Sequence, residues 1–189
     1  LLDDSLHQNA KMLLLEGEAG LGKSRLMAEL EQGIQPFDCL LLKAQCQADS
    51  SIPLYGVVQA FANNINQLKH YYADIEEKIA VLEQQVLADQ QANSAHRLQA
   101  ELASLITLIA SNNLVVLILD DMHWSDKETG DFLQLLLTMV SNSPNLQLLI
   151  ITTFRPHEQS ANEHWLKLGQ QFEAYSFCER RKLNRLSRR

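Results

Sequence analysis

Residues 17–24 read GEAGLGKS, a glycine-rich run that ends in a lysine and a hydroxyl side chain. Glycines allow the chain to curl until several backbone N–H groups point at one anion. At this spacing the lysine can reach the β- and γ-phosphates of a nucleotide, and the hydroxyl can bind Mg²⁺. The run predicts a phosphate-binding loop, with Lys23 as a catalytic cation and Ser24 as a metal ligand. The residues predicted to bind the nucleotide are Gly17, Glu18, Ala19, Gly20, Leu21, Gly22, Lys23, Ser24 and Arg25.

The flanking sequence supplies the context that such a loop requires. Lys11–Glu16 is predicted to be a short apolar strand, and residues 24–33 a helix that stops before Pro36. The N-terminus of that helix adds partial positive charge to the anion site. An ordinary glycine-rich turn before a helix is the alternative, which the flanking strand and helix disfavour.

Two adjacent carboxylates follow another apolar strand, Leu114–Asp120. In open parallel sheets ligands bind at the carboxyl ends of the strands, so Asp120 and Asp121 are expected near the loop. Asp120 is the candidate Mg²⁺ ligand, and Asp121 is the candidate catalytic residue that orients the attacking water. The alternative is a strand that merely ends in a polar Asp-Asp turn.

A further apolar strand, residues 146–152, is followed by Thr-Phe-Arg-Pro. Its arginine, Arg155, is one of only three arginines that precede the last eleven residues. A guanidinium at the end of a strand can bind a γ-phosphate through two parallel hydrogen bonds, which makes Arg155 a third candidate catalytic residue. The alternative is a surface arginine in a loop.

Strands alternate with helical segments along most of the chain. This alternation predicts an α/β fold in which helices cover both faces of a parallel sheet. A helix is expected at residues 53–68, and a helical stretch at 71–110 should break near residues 92–94, where Ser94 is an N-cap candidate. The remaining predicted elements are a strand at 38–44, a helix at 126–140 and a last strand at 172–178.

The formal charge of −7 is divided unevenly along the chain. Residues 1–178 hold ten of the Lys and Arg residues against 22 Asp and Glu, a net charge of −12. An acidic body disfavours a broad nucleic-acid surface. The chain is therefore divided into a nucleotide-binding domain at 1–178 and a basic C-terminal tail at 179–189. A solvated end is the simplest interpretation of the tail, and contact with nucleic acid or a membrane surface is the alternative.

The apolar pattern predicts neither membrane insertion nor a secretory leader. The longest apolar runs are far shorter than the roughly 20 residues that cross a bilayer, and no basic-then-apolar segment opens the chain. Cys39 and Cys46 lack the short spacing of zinc ligands and are expected to be small apolar residues around a strand. A cytoplasmic location suits these cysteines.

Three segments in this order, GEAGLGKSRL, DDMHWSD and TTFRP, resemble the ATPase module of the STAND class, the signal-transduction relatives of AAA+ ATPases. The resemblance spans most of residues 11–156 and extends to LuxR-type regulators, cyclase-linked proteins and multidomain kinases. It implies a P-loop NTPase sheet of five strands in the order 5-1-4-3-2, with ATP and Mg²⁺ as ligands. It also implies that residues 17–24 are the Walker-A loop and that Asp120 and Asp121 are the Walker-B pair. In the same family pattern, Arg155 is a sensor arginine.

The same resemblance assigns His123, Trp124 and Asp126 to an extension that caps the site and relays the nucleotide state. From the residues alone, Trp124 is equally well a hydrophobic plug and His123 a residue at the entry of a helix.

These observations predict an ATP-binding, slowly hydrolysing regulatory module that acts as a nucleotide-dependent switch in a multidomain signalling or transcription-regulating protein. The chain is expected to be a fragment whose covalently attached sensor and effector domains lie outside it, and to self-associate in a nucleotide-dependent way. A DNA-handling initiator-type ATPase is the first alternative, which the acidic body disfavours. A small-molecule phosphotransferase is the second, which the scarcity of arginines disfavours because such enzymes close an arginine-rich lid over the phosphoryl group.

Overall fold

The computed structural model describes residues 10–47, 54–71, 92–143, 145–156 and 163–184. Its five strands form one parallel sheet in the order β2-β3-β4-β1-β5. This is the predicted order, counted from the opposite edge, so the α/β P-loop NTPase architecture is confirmed. The strands are β1 (Lys11–Glu16), β2 (Cys39–Gln45), β3 (Leu114–Asp120), β4 (Leu148–Phe154) and β5 (Cys178–Lys182).

Helices cover the two faces of the sheet. The helices are α1 (Lys23–Ile34), α2 (Tyr55–Asn63), α3 (Ile65–Tyr71), α4 (Ala92–Ala110), α5 (Lys127–Ser141) and α6 (Glu163–Phe172), and a 3₁₀ turn spans Met122–Trp124. Within the described ranges, no helix combines the length and the apolar character needed to cross a bilayer.

The inner strands are almost entirely apolar. β3 reads LVVLILD and is buried up to its last residue, and β4 reads LLIITTF and is buried throughout. Continuous apolar runs of this kind are typical of parallel strands that are covered on both faces. They place the core of the protein on either side of the strands that carry the candidate site.

Side chains of β1, the strand that precedes the loop, pack into the core on both faces of the sheet. Successive side chains of a strand point to opposite faces of the sheet. Leu13 and Leu15 therefore pack in a cluster with Met27 of α1, whereas Met12 and Leu14 pack in the larger cluster formed with the helices of the other face. The start of the phosphate-binding loop is thus anchored from both sides.

The single helix predicted at 53–68 is two helices in the structure, so this prediction is wrong in part. The break lies at Asn64, whose backbone is not helical (φ −110°, ψ 19°). Its side-chain amide donates to the carbonyl of Ala60 at 2.8 Å. A short amide side chain that bonds to the preceding turn competes with continuation of the helix. Pro53, the first residue of the predicted helix, lies outside the described residues.

Two other predicted boundaries are displaced. α4 begins at Ala92, so Ser94 lies inside the helix and its predicted N-cap role is wrong. Of the predicted helical stretch at 71–110, residues 72–91 lie outside the described residues. β4 extends two residues beyond the predicted end at residue 152 and includes Thr153 and Phe154, because threonine and aromatic residues are good strand formers.

The last strand lies later in the chain than predicted. Residues 172–178 were expected to form it, but α6 ends at Phe172 and β5 is the charged segment Cys178–Lys182. The aromatic residues of that stretch pack on the core instead of forming a strand: Phe172 is fully buried, and Phe177 is partly buried against the same core cluster. β5 crosses the predicted boundary between the domain (1–178) and the basic tail (179–189). Residues 179–182 therefore belong to the sheet. The division into a domain and a tail remains a prediction.

Candidate functional site

The phosphate-binding loop connects β1 to α1. Gly20 and Gly22 have φ angles of +78° and +85°, a left-handed conformation that residues with a Cβ rarely adopt. The N–H of Gly17 donates to the carbonyl of Phe154 at 3.1 Å, and a Cβ on Gly17 would lie 3.3 Å from the Cβ of Leu183. Two of the glycines therefore serve backbone conformation, and the third allows close packing.

Lys23 is enclosed by its own loop, and only 8% of its surface is exposed. Its Nζ donates to the carbonyl of Gly17 and, at 3.0 Å, to the carbonyl of Glu18. Burial lowers the pKa of Lys23, the positive charge of Arg155 lowers it further, and nearby carboxylates, Asp121 first, oppose the shift. Arg155 and Asp121, the other two predicted catalytic residues, therefore both lie within electrostatic reach of Lys23.

The rest of the loop is more accessible to solvent. Residues 18–20 and Ser24 are exposed, and Leu21 is half-buried. The exposed Arg25 guanidinium lies 3.9 Å from the carboxylate of Glu29, one helical turn along α1. The structure thus leaves the Ser24 hydroxyl accessible at the start of α1, whereas the Arg25 side chain is paired along the helix surface.

The acid pair ends β3, which is separated from β1 by β4 alone. Oδ1 of Asp120 accepts hydrogen bonds from the hydroxyl of Thr153 and, at 3.1 Å, from the backbone N–H of Asp121. The same N–H lies 3.0 Å from Oγ1 of Thr153. Thr153 of β4 therefore orients both acids.

Asp121 leaves the strand conformation at once, with φ 56° and ψ 43°. Among residues with a side chain, aspartate and asparagine tolerate this left-handed region best. Its carboxylate accepts a long hydrogen bond of 3.5 Å from Nε2 of Gln45 and lies 3.9 Å from Nδ1 of His123. Its side chain is 20% exposed, so the carboxylate remains accessible to water.

Arg155 follows β4 at the same edge of the sheet. Phe154 pairs in register with Glu16, and its carbonyl accepts the N–H of Gly17, so Arg155 leaves β4 beside the start of the loop. Arg155 is half-buried. Its influence on the pKa of Lys23 agrees with this placement.

The predicted extension follows the acid pair directly in the chain, as the 3₁₀ turn Met122–Trp124 and the start of α5. His123 is fully buried, and its ring lies 5.1 Å from that of Trp124. Asp126 is the N-cap of α5, where it accepts the N–H of Thr129 at 2.6 Å and its hydroxyl at 2.9 Å. It also accepts the N–H of Leu54 at 3.3 Å. Burial raises the pKa of Asp126, and the two hydrogen bonds from Thr129 oppose that shift.

A cavity of about 310 Å³ lies beyond the acid pair, between β2, α2 and Trp124. Its described lining includes Gln45, Cys46 and Tyr55 and no residue of the phosphate-binding loop. Burial, followed by the negative charges of nearby aspartates, Asp126 first, raises the pKa of Cys46 to about 12. The thiol is therefore protonated at neutral pH and behaves as the small apolar residue that was predicted.

Two residues of the site, Gln45 and Thr153, were missed by sequence reasoning. Gln45 ends β2 and pairs in register with Asp120, and Thr153 lies near the end of β4. Each is a polar residue at the carboxyl end of an apolar strand, as are the acids. That shared position is the signal by which both could have been found.

The donor atoms at this edge suit Mg²⁺. The Ser24 hydroxyl and the Asp120 carboxylate are hard oxygen ligands, and Mg²⁺ usually takes one or two such protein ligands together with substrate phosphates. The hydrogen bonds described above occupy only one of the two carboxylate oxygens of Asp120. In the described part of the chain, no group of three or more His, Cys, Asp or Glu residues could hold a metal by itself, so phosphate oxygens would complete the coordination.

The comparisons with known proteins agree with this geometry. A family model described as an AAA ATPase domain matches residues 1–151, which include the loop and both acids. A search of curated proteins found no match. Because the model covers most of the chain, the protein belongs to the AAA ATPase domain family and is a nucleotide-binding ATPase module.

Proposed function

We propose that this chain binds Mg·ATP, hydrolyses it slowly and acts as a nucleotide-dependent switch in a multidomain signalling or transcription-regulating protein of the STAND class. The observation that carries the proposal is the convergence of a buried lysine, an acid pair and an arginine at the carboxyl ends of neighbouring strands. A phosphate cradle at a helix N-terminus and an acid for the metal are parts that P-loop phosphoryl-transfer sites share.

Each candidate residue has a distinct role in this proposal. The loop N–H groups and Lys23 bind the β- and γ-phosphates, and Arg155 contacts the γ-phosphate. Asp121 accepts a hydrogen bond from the water whose oxygen attacks the γ-phosphorus. The bond from that phosphorus to the β–γ bridging oxygen breaks, which yields ADP and inorganic phosphate. When bound by Ser24 and Asp120, Mg²⁺ supplies positive charge to the phosphate oxygens.

A switch requires a contact that exists in only one nucleotide state. Arg155 supplies such a contact in the proposal, because loss of the γ-phosphate removes its partner. Arg155 directly follows β4, and Thr153 of β4 donates a hydrogen bond to Asp120. A movement of Arg155 that shifts the end of β4 would therefore also move the acid pair. Slow hydrolysis suits this role because the lifetime of the ATP-bound state sets the duration of the signal.

We also propose the setting in which the module works. Residues 1–178 form the ATPase domain, and the basic segment 179–189 begins as β5 within its sheet. The partners are covalently attached sensor and effector domains, with self-association controlled by the bound nucleotide. A cytoplasmic location is supported by Cys39, Cys46 and Cys178, all of which are free thiols.

Calorimetric titration of the 189-residue chain with Mg·ATP tests the binding step. Lys23→Ala should weaken binding at least about tenfold, because a hydrogen bond to a charged partner is worth about 1.5–3 kcal/mol. Lys43→Ala is the matched control. Lys43 lies on β2, at the opposite edge of the sheet, and its ammonium pairs with Glu31 of α1. Equal affinities for wild type and Lys23→Ala would show that the loop does not bind phosphates in the proposed way.

The ratio of the ATP and ADP dissociation constants tests the switch. Arg155→Ala should erase most of the preference for ATP, because the γ-phosphate loses its partner. Arg155→Lys should restore only part of it, since an ammonium reproduces the charge but not the two parallel hydrogen bonds. A ratio that Arg155→Ala leaves unchanged would make Arg155 an ordinary loop residue, and the switch would then need another sensor.

A further inference from the structure

The basic strand β5 directs its charges to two different faces of the sheet. Side chains alternate along a strand, and the register places Arg180 and Lys182 on the same face as Glu16 of β1. Arg181 points to the opposite face and pairs with Glu179 of its own strand. Two of the basic residues that were predicted to be a solvated tail therefore face the strand that leads into the phosphate-binding loop.

Glu16 is the residue immediately before the loop, and its side chain is only 10% exposed. Its Oε2 accepts a hydrogen bond from Nε of Arg180 at 2.9 Å and forms an ion pair with Nη2 of the same guanidinium at 2.7 Å. Nζ of Lys182 lies 3.5 Å from Oε1. A nearly buried carboxylate at the base of an anion site is thus compensated by two cations from the edge strand.

Arg180 is itself held in place by contacts on two further sides. Its Nη1 donates to Glu173 at 2.7 Å, and its Cζ lies 5.3 Å from the centre of the Phe154 ring. Phe154 is the residue whose carbonyl accepts the N–H of Gly17. The guanidinium therefore packs between the end of β4 and the end of β1, the two strands from which the site is built.

We propose that Arg180 is a positioning residue for nucleotide binding that acts through Glu16, by compensating a carboxylate that would otherwise repel the phosphates of ATP. Removal of Arg180 leaves Glu16 with only the more distant and more exposed Lys182 as a cationic partner, and a nearly buried carboxylate that loses its closest cation is poorly compensated. Like charges several ångströms apart repel strongly where the surroundings are less polar than water. The inference rests on the proposed function, because the phosphates are the charge on which Glu16 acts.

The matched control lies on the same strand, one residue away. Arg181 carries the same charge and the same side chain, but it is 66% exposed and pairs on the opposite face. Arg180→Ala and Arg181→Ala therefore change the net charge equally, and only the first removes a partner of Glu16.

The experiment is calorimetric titration of the full 189-residue chain with Mg·ATP, Mg·ADP and adenosine. Arg180→Ala should weaken Mg·ATP about tenfold, the order expected for one uncompensated charge at several ångströms in a partly polar medium. The loss should be smaller for ADP and absent for adenosine, because the repulsion scales with the charge of the ligand. Arg181→Ala should bind all three ligands like wild type.

The double variant Glu16→Gln with Arg180→Ala separates charge compensation from a role in packing. It lacks both the guanidinium and the negative charge, so its ATP affinity should return close to that of wild type. A double variant as weak as Arg180→Ala would overturn the proposal, and so would an Arg180→Ala variant that lowers the melting temperature but binds ATP normally.

Two further results keep this inference distinct from the proposed function. If Lys23→Ala weakens ATP binding and Arg180→Ala does not, the role of Arg180 is wrong and the proposed function stands; a wild-type chain that binds no ATP overturns both. Should Arg180→Ala fail to fold, Arg180→Gln takes its place, because glutamine removes the positive charge while its amide can still donate a hydrogen bond to Glu16. An unchanged ATP affinity in Arg180→Gln would then overturn the proposal.

Discussion

β4 and β5 are the two strands that flank β1, and they have opposite compositions. β4 reads LLIITTF and is buried at every position, whereas β5 reads CERRK and is half-buried or exposed throughout. β4 lies inside the sheet, and β5 is its edge. An edge strand needs a hydrogen-bonded neighbour on one side only, so water reaches its charged side chains. The same parallel architecture therefore accepts either an apolar or a basic strand beside the phosphate-binding loop.

The largest expected effect tests burial in β4. Ile150 is 1% exposed, and Ile150→Ala should lower the free energy of unfolding by about 2–5 kcal/mol through lost burial and the remaining cavity. Arg181→Ala on β5 should change it by no more than about 0.5 kcal/mol, as surface substitutions usually do. Urea unfolding of both variants measures the contrast. Similar losses would mean that β5 is as tightly integrated in the core as β4.

An intermediate effect separates two neighbouring threonines of β4, both fully buried. Thr153→Val removes the hydroxyl that donates to Asp120 and accepts from the N–H of Asp121. It should cost about 1–3 kcal/mol of stability, because a half-buried carboxylate loses one donor and a backbone N–H loses one acceptor. Oγ1 of Thr152 has no hydrogen-bond partner among the described residues, so Thr152→Val should be neutral or stabilising. Equal losses on urea unfolding would assign the effect of Thr153 to packing rather than to the hydrogen bond.

The smallest expected effect is a pH dependence of stability that comes from Lys23, whose pKa is shifted in the opposite direction from that of Arg180. Hydrogen bonding to Glu173, opposed by burial and supported by Glu16, raises the pKa of Arg180, whereas burial lowers the pKa of Lys23. The unfolded chain therefore binds the lysine proton more readily than the folded protein does. The unfolding free energy of the ligand-free protein should rise with pH between the lowered pKa of Lys23 and its ordinary value near 10.5.

Lys23→Met supplies the control for this pH dependence, because methionine has a similar length and does not titrate. Unfolding is measured for both proteins from neutral pH upward. The difference in stability between wild type and Lys23→Met should move in favour of wild type as Lys23 loses its proton. A difference that stays constant with pH would contradict the lowered pKa.

The contrast between the strands also explains how far the sequence could predict the fold. The inner strands and the loop were predictable, because continuous apolar runs mark buried parallel strands and the glycine spacing is specific. The position of β5 was not predictable, since the strand is charged and its Arg180 is held by ion pairs with Glu173 and with Glu16. Glu16 is distant in sequence, so this contact leaves no local pattern. The aromatic residues of 172–178 gave a stronger apolar signal, although they close the end of α6 onto the core.

The candidate site divides in the same way. Lys23, Asp120 and Asp121 were predictable because each lies at a fixed place relative to a motif or a strand end. Gln45 and Thr153 share the strand-end position that could have marked them as candidates, but their partners were not predictable, since only the register of the sheet brings each beside its acid. Contacts between strands depend on tertiary pairing, which a single sequence does not specify.

The left-handed backbone of Asp121 restricts the set of amino acids that this position can accept. Most side chains lose about 1–2 kcal/mol in that conformation, and aspartate, asparagine and glycine are the usual exceptions. Only one of these three is an acid. A glutamate would extend the carboxylate by one methylene group and add backbone strain at the end of β3. The choice of acid at this position is therefore restricted by φ and ψ as much as by the role in water activation that we propose for Asp121.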